Sequence, residues 1–118
     1  MASGQSQKEG LWQSMFDIES IQVMYKGRAV ELTQHFHDRI KERGIKYADV
    51  KNALENGEII EQILDDYPNP SVLILGLSHD GTPLHVAVGV DDDRIWLITA
   101  YFPTTDIWET DLRTRKVD

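Results

Sequence analysis

The chain has 118 residues, of which 41% are hydrophobic and 27% are charged, and these values are typical of one small globular domain. Its net charge of −8 argues against broad nonspecific binding to nucleic acid, so we expect no DNA binding, although a local basic site is compatible with this charge. No cysteine is present, which excludes disulfides and makes the cytoplasm the expected location. No apolar run approaches the roughly 20 residues of a membrane span, and we expect no membrane association.

The first half of the chain has helical patterns. Residues 1–10 are small and polar, which predicts a flexible tail. Helical spacing of apolar residues then predicts an N-terminal helix over residues 11–26. The stretch "TQHFHDRIKERGI" predicts a second helix, with Thr33 as its N-cap and Gly44 just past its end. A third helix is predicted over residues 47–55, although Lys46 stands where an N-capping Ser, Thr or Asp would be usual.

From Glu58 onward the hydrophobic period changes to two, which indicates strands. Four candidates follow in order: "EIIEQILDD", "SVLILGLSH", "TPLHVAVGV" and "RIWLITAYF". Asp80-Gly81 is a strong hairpin signal between the second and the third candidate. The sequence therefore predicts an α+β fold, in which the N-terminal helices pack on one face of a four-stranded antiparallel meander. The predicted domain covers residues 32–108, and residues 109–118 are predicted to be a C-terminal tail.

Alternation in the last two strands places polar side chains on one face. In "PLHVAV" the apolar residues on either side of His85 are suited to a core, and His85 points the other way. Antiparallel pairing through the "DDD" turn would put residues near 85 opposite residues near 99. We therefore expect His85, Thr99 and Tyr101 to be neighbours, and we expect Trp96 to lie in the core with Ile98.

The second helix has a ladder of cationic and imidazole side chains. His35, Arg39 and Arg43 recur every fourth residue, and a helical wheel places Arg43 on the same side as the apolar Phe36. An inward guanidinium needs an anionic or carbonyl partner, because burying an unpaired charge is costly. The purely structural alternative is that Arg43 binds free carbonyls at the helix end and that Arg39 pairs with a neighbouring carboxylate.

The motifs "TQHFHDRIKERGI", "DVKNALENGEIIE", "PLHVAV" and "ITAYFP", followed by Trp108, resemble in order and spacing the bacterial domain-of-unknown-function family 4258. That family looks like a relative of the small ribonuclease toxins of the RelE and MqsR kind, whose genes often neighbour a small zinc-finger antitoxin. The resemblance extends over residues 32–108. The acidic charge and Lys46 depart from the pattern, and the N-terminal helix has no counterpart in it.

The resemblance implies a RelE-like fold and a toxin-like, metal-independent RNA endonuclease that cleaves phosphodiesters by 2′-OH attack. Its polar pattern falls on five candidate catalytic residues and on one candidate substrate-binding residue. Trp108, which follows the last strand, either packs over a sheet edge or lines a binding surface as a second substrate-binding candidate. The catalytic candidates are His35, His85, Arg39, Arg43 and Tyr101, and the substrate-binding candidates are Thr99 and Trp108. Two histidines could share the acid and base roles near neutral pH, while arginines stabilise the phosphorane.

Two alternatives remain open at this point. Metal catalysis is disfavoured because His35 and His37 are two residues apart and diverge on a helix, and the HExxH motif is absent, so no metal and no cofactor is expected. The other alternative is a noncatalytic protein-interaction or regulatory module of the same fold, which the acidic charge favours.

Overall fold

A computed structural model of the chain describes residues 17–117, which form three helices and a five-stranded mixed sheet. The elements in chain order are α1 (Ile18–Lys26), β1 (Val30–Leu32), α2 (Gln34–Glu42), α3 (Tyr47–Asn56), β2 (Glu58–Ile63), β3 (Ser71–Leu77), β4 (Pro83–Val90) and β5 (Ile95–Tyr101). The predicted α+β class is confirmed. The predicted tail, residues 1–10, and the first part of the predicted N-terminal helix, residues 11–16, lie outside the described residues.

Local capping explains where α2 and α3 begin and end. The Thr33 hydroxyl accepts a hydrogen bond from the Phe36 backbone N–H at 3.0 Å, as expected of an N-cap. Gly44 follows the helix with φ +69°, a left-handed conformation that glycine adopts without steric cost. At the start of α3, the Asp49 carboxylate accepts from the Lys46 N–H at 2.9 Å and so satisfies one backbone donor despite the unusual N-cap residue.

The sheet order is β1-β5-β4-β3-β2, and the strands from β2 to β5 form an antiparallel meander. The short strand β1 lies parallel to β5 and pairs with residues Ile95–Leu97. The predicted sheet of four antiparallel strands was therefore wrong in its strand number and in its purely antiparallel pairing. Three residues carry too little alternation to indicate a strand, and the partner of β1 lies more than 60 residues further along the chain.

The helices pack on one face of the sheet, here called the helix face. Its strand side chains include Leu84, Val86 and Val88 of β4, which are fully buried together with Phe36 and Ile40 of α2. Burial of these large apolar side chains is the main stabilising contribution to the domain. The predicted core side of β4 is thus confirmed, and His85 points to the opposite face.

The opposite face is crossed by the C-terminal strap, residues 107–116. Backbone hydrogen bonds close it into a hairpin, with Lys116 N–H donating to the Ile107 carbonyl at 2.8 Å and Glu109 N–H donating to the Thr114 carbonyl at 2.7 Å. Ion pairs of Arg113 with Glu58 and of Arg115 with Glu61 join the strap to β2. The segment predicted to be a C-terminal tail is therefore packed against the sheet, on the face that we call the strap face.

A β-bulge in β5 shifts the side-chain alternation. Thr99 pairs with Ala87 and Leu97 pairs with Val88, so Ile98 has no partner on β4. The extra residue places both Leu97 and Ala100 on the helix face, where they are buried. Trp96 lies on the strap face and is only partly buried, so the expectation that it lies in the core with Ile98 was wrong.

Candidate active site

His85 occupies the centre of the strap face and is completely buried. Both ring nitrogens have partners: Nδ1 lies 3.1 Å from the Tyr101 hydroxyl, and Nε2 lies 2.7 Å from the Leu112 carbonyl. The rings of Tyr101 and Trp108 meet the imidazole edge to face, with centroids 5.2 Å and 4.7 Å away. The imidazole is therefore fixed in orientation and is sealed from solvent beneath the strap.

These partners determine which nitrogen of His85 carries the proton. A carbonyl oxygen can only accept, so Nε2 must donate to Leu112. Burial lowers the pKa of His85 below its ordinary value of 6.5; the Leu112 carbonyl and Glu61 oppose this shift and Arg115 reinforces it. The neutral ring then presents a free lone pair at Nδ1, and the Tyr101 hydroxyl donates to it. Leu112 itself has φ +58°, an uncommon conformation for a residue with a branched side chain.

Replacing His85 by glutamine is expected to remove a pH-dependent loss of stability. The folded pKa of His85 lies below the unfolded value, so the unfolded chain takes up this proton first as the pH falls. The free energy of unfolding of the native protein should therefore decrease as the pH falls through 6.5 toward the folded pKa. Urea denaturation from about pH 8 to about pH 5 measures the effect.

The His85→Gln comparison has an internal control, because the other histidines, His35, His37 and His79, are present in both proteins. The difference in unfolding free energy between native protein and variant should shrink as the pH falls. Two parallel stability curves would contradict the assigned protonation state.

Tyr101 lies at the end of β5, directly opposite His85 in the strand register. Burial raises the pKa of its hydroxyl, with a smaller raising effect from Glu61, and Arg115 and Arg43 oppose the shift. The hydroxyl therefore keeps its proton near neutral pH and remains a donor to His85. Tyr101 is partly exposed, so this residue connects the sealed imidazole with the protein surface.

Arg43 reaches the sheet at the edge of β5 that β1 leaves unpaired. One guanidinium nitrogen donates to the Thr99 hydroxyl and to the Ala100 carbonyl, both at 2.9 Å. The residue is exposed, contrary to the wheel-based prediction of a core-facing side chain. Arg43 is the C-cap of the helix, and its long side chain extends to Thr99 and Ala100 at the sheet edge, where the residue stays exposed. Neutral oxygens are its partners, and its positive charge is not neutralised by any described carboxylate within salt-bridge distance.

The structure does not bring His35 and Arg39 into this centre. Arg39 pairs with Glu42 at 3.1 Å, as the structural alternative expected. His35 is exposed in the first turn of α2, eight residues before Arg43 and hence about 12 Å away along the helix axis. Because α2 packs on the helix face and the His85 side chain lies on the strap face, His35 and His85 stand on opposite faces of the sheet. The two imidazoles cannot act on one phosphate in this arrangement.

The two predicted substrate-binding residues have different surroundings. Thr99 is partly exposed beside Arg43 and accepts its hydrogen bond. Trp108 is only 2% exposed and lies between the His85 ring and the Arg115 guanidinium, which stands 4.6 Å from the centre of the Trp108 ring. Trp108 therefore packs the strap against the sheet and presents no face to solvent.

Sequence reasoning missed the strap residues that complete the His85 environment. Leu112 supplies the carbonyl, and the Asp111 carboxylate organises the turn by accepting from the backbone N–H groups of Arg113 and Thr114, each at 3.0 Å. These hydrogen bonds hold the pKa of Asp111 below its ordinary value. The available signal was Trp108 close to Asp111, because aspartate is a residue type that favours turns and so a folded hairpin over a tail.

Within residues 17–117 no group of three or more histidine, aspartate or glutamate side chains is placed to hold a metal ion. Over the same residues no helix has the length and apolarity needed to cross a bilayer.

The fold and site define a small α+β domain with a sealed histidine bonded to a partly exposed tyrosine on one sheet face, and with an unneutralised arginine at the sheet edge. A family model described as "Domain of unknown function (DUF4258)" matches residues 32–102, more than half of the 118 residues, and the chain belongs to this family. The match ends just after β5 and so excludes the strap. No curated protein and no solved structure matched the chain.

Proposed function

We propose that the protein is a toxin-like, metal-independent RNA endonuclease, cytoplasmic and related in fold to the RelE and MqsR toxins. The observation that carries the proposal is the hydrogen bond from the Tyr101 hydroxyl to His85 Nδ1, with Arg43 at the adjacent edge. Phosphodiester transfer without a metal needs a group that moves the proton and a cation that stabilises the charge on phosphorus. A hydroxyl that is hydrogen-bonded to a base and lies beside a cation can supply both. The kinship with RelE and MqsR toxins rests on motif order and on analogy of fold.

The proposed reaction uses Tyr101 as the group that meets the substrate. The Tyr101 oxygen accepts the proton of the RNA 2′-OH while its own proton passes to His85 Nδ1, so His85 acts through Tyr101 and never touches RNA. The 2′ oxygen attacks phosphorus, and the departing 5′ oxygen recovers the proton by the reverse path. Arg43 donates to a phosphate oxygen and stabilises the charge that grows on it, for which planar guanidinium donors are well suited.

The transient imidazolium has partners in this arrangement. Its Nε2–H remains bonded to the Leu112 carbonyl, and Glu61 favours the charged form. Burial disfavours the same charge, so the proton returns readily to Tyr101. His85 is therefore proposed as a transient proton store, which differs from the direct pairing of His35 with His85 expected from the sequence.

Tyr101→Phe is the substitution that tests the proposal. The purified protein should cleave a single-stranded RNA in the presence of EDTA and leave 2′,3′-cyclic phosphate ends. Removing the hydroxyl should lower the cleavage rate by about 100-fold or more, the range for loss of general acid–base catalysis. Arg43→Gln should produce a loss of similar size, because it removes the cation and keeps a polar side chain.

The chain offers a matched control in Tyr47, whose hydroxyl lies 2.8 Å from His37 Nδ1 on the other side of the protein. Tyr47→Phe removes the same atom from the same kind of pair, so it should leave the cleavage rate nearly unchanged. Equal cleavage by all three variants, or no cleavage by the native protein, would overturn the proposal.

The second candidate function is a noncatalytic interaction module, favoured by one observation: His85 is sealed, with both nitrogens engaged. In that case the histidine–tyrosine pair is a structural centre that holds the strap. Under either function we propose a small zinc-finger protein encoded nearby as the partner. Growth arrest on expression that is relieved by the partner and abolished by Tyr101→Phe favours the nuclease over the module.

A further inference from the structure

A cavity of about 370 Å³ lies on the helix side of the domain, between the end of α1, the strand β1 and the helix α3. This volume is within the range of about 300–1,000 Å³ that is usual for small-molecule sites. Three cations and one carboxylate are among its lining residues: Lys26, Arg28, Lys51 and Glu55. We call this space the Arg28 pocket.

The charged groups of the Arg28 pocket sum to +2, although the whole chain has a net charge of −8. Among the described residues, no carboxylate lies within salt-bridge distance of Lys26 or Arg28. Lys51 Nζ lies 3.9 Å from a Glu55 carboxylate oxygen, and the Lys51 side chain is 62% exposed, so this ion pair is weak. The cations are therefore free to bind an anion from solution.

Arg28 has an unusual backbone conformation for its residue type. Its φ of +62° is in the left-handed region, which residues other than glycine seldom adopt. Its N–H donates to the Tyr25 carbonyl at 3.1 Å, and the Ala29 N–H donates to the Met24 carbonyl at 2.8 Å, so Arg28 occupies the position of this helix end that favours glycine. The glycine of the chain, Gly27, stands one residue earlier with φ −77°. An unfavourable conformation at a residue that lines a cavity indicates that its side chain has a role there.

The other walls of the pocket are apolar or aromatic and consist of Tyr25, Val30 and Leu32. Leu32 is 50% exposed, so its side chain offers apolar contact area to a ligand. Burial raises the pKa of the Tyr25 hydroxyl, and Glu55 raises it further, so this hydroxyl keeps its proton near neutral pH. The pocket thus combines cations with an apolar wall, which suits an organic molecule that carries an anionic group.

We propose that the Arg28 pocket binds the phosphate monoester of a small organic molecule, either a sugar phosphate or a nucleotide. A phosphate monoester carries a charge of about −1.5 to −2 at pH 7, which the charge of +2 in the pocket balances. A carboxylate or a phosphodiester carries one negative charge and leaves part of the cationic charge unbalanced. Guanidinium and ammonium groups both bind phosphate oxygens well, and the apolar wall contacts the organic part of the ligand.

This site is independent of the proposed nuclease. The Arg28 pocket is formed by α1 and α3 on the helix side, whereas the His85 side chain lies on the strap face of the sheet. The phosphates of an RNA backbone are diesters, which match the charge of the pocket less well than a monoester does. The absence of RNA cleavage by the native protein would therefore remove the nuclease and leave this assignment standing.

The test follows the backbone N–H signals of Gly27 and Ala29 by NMR in the full chain during titration with three ligands. These ligands are AMP, 3′,5′-cyclic AMP and ribose 5-phosphate. AMP and cyclic AMP have the same base and sugar but differ in phosphate charge, so AMP should bind at least about 10-fold more tightly. Ribose 5-phosphate should move the same signals, because the phosphate is the group recognised. Tighter binding of AMP than of ribose 5-phosphate would favour a nucleotide as the ligand, and equal binding would favour a sugar phosphate.

Arg28→Gly separates ligand binding from folding. Glycine relieves the left-handed backbone, so the midpoint of urea denaturation should stay the same or rise, while AMP binding weakens by about 10-fold. Lys26→Gln should also weaken AMP binding. Lys41→Gln is the matched control, because it removes the same charge from an exposed helical position outside the pocket, and it should bind AMP as the native protein does.

Three results would overturn the proposal. The first is equally tight binding of AMP and cyclic AMP, and the second is a failure of every phosphate monoester to move the signals. The third is native-like AMP binding by both Arg28→Gly and Lys26→Gln. A glutamate-rich peptide that bound more tightly than AMP would assign the pocket to a protein partner and would equally overturn it.

Discussion

Replacing Trp108 by alanine is expected to lower the free energy of unfolding by about 3–5 kcal/mol, the usual range for a buried tryptophan. Its side chain is 2% exposed and packs edge to face on the fully buried His85. The substitution also removes the ring beneath the Arg115 guanidinium, a cation–π contact. Urea denaturation followed by circular dichroism measures the change, since the signal then does not depend on the tryptophan that is removed.

The neighbouring residue supplies the control for Trp108→Ala. Ile107 belongs to the same strap but is 56% exposed, so Ile107→Ala should change the free energy of unfolding by no more than about 0.5 kcal/mol. A loss of about 1 kcal/mol or less for Trp108→Ala would contradict a packed strap. A large loss for both variants would show that the whole hairpin depends on surface contacts.

The strap matters for the proposed reaction because the Leu112 carbonyl binds His85 Nε2, while Tyr101 binds the other ring nitrogen, Nδ1. Without the Leu112 carbonyl, nothing in the described surroundings would select the Nε2–H form of the ring, and Nδ1 would no longer be held as an acceptor. For the proposed nuclease, Trp108→Ala is therefore expected to reduce RNA cleavage through His85 even at temperatures where the variant is folded. The strap and the histidine–tyrosine pair form one unit, although they come from different parts of the sequence.

The helices could be predicted from the sequence because the residues that start and end them are close together in the chain. The helix α2 begins after Thr33, whose hydroxyl makes the N-capping hydrogen bond, and ends before Gly44, which has a positive φ; both features are favoured by these residue types. Strands β2 to β5 could be predicted from the alternation of apolar and polar residues and from the turn residues between them. Strand β1 was not, because its stability comes from a parallel partner, Ile95–Leu97, that no local pattern specifies.

The candidate site was predictable only where strand register determines it. Placing His85 near Tyr101 required the face and the approximate register, and both follow from alternation. The bulge at Ile98 could not be read from the sequence, and it changed the face on which Trp96 lies. The packing of the strap over His85 was also missed, because its polar sequence predicts an exposed tail as long as the contacts of Trp108 and of the Leu112 carbonyl with His85 are unknown.

Gly76→Ala is expected to destabilise the fold by about 3 kcal/mol, at the upper end of the usual range for overpacking. A Cβ at this position of β3 would lie 2.2 Å from the Ala53 carbonyl oxygen and 2.7 Å from the Ala53 Cα, both of them backbone atoms of α3. Backbone cannot rotate away as a side chain can, so α3 must move off the sheet. Urea denaturation at neutral pH measures the loss.

Gly89→Ala is the matched control, because Gly89 is also a buried glycine, on the adjacent strand β4. A Cβ there would meet only the side chains of Trp96 and Ile98, at 3.5–3.6 Å, which is ordinary contact. Because alanine is generally favoured over glycine in strands, Gly89→Ala should leave the free energy of unfolding unchanged or raise it slightly. If both variants lost stability equally, the close approach of α3 to β3 would not be the cause. A loss confined to Gly76→Ala would establish that glycine at this position is what allows α3 to lie against β3 and β4.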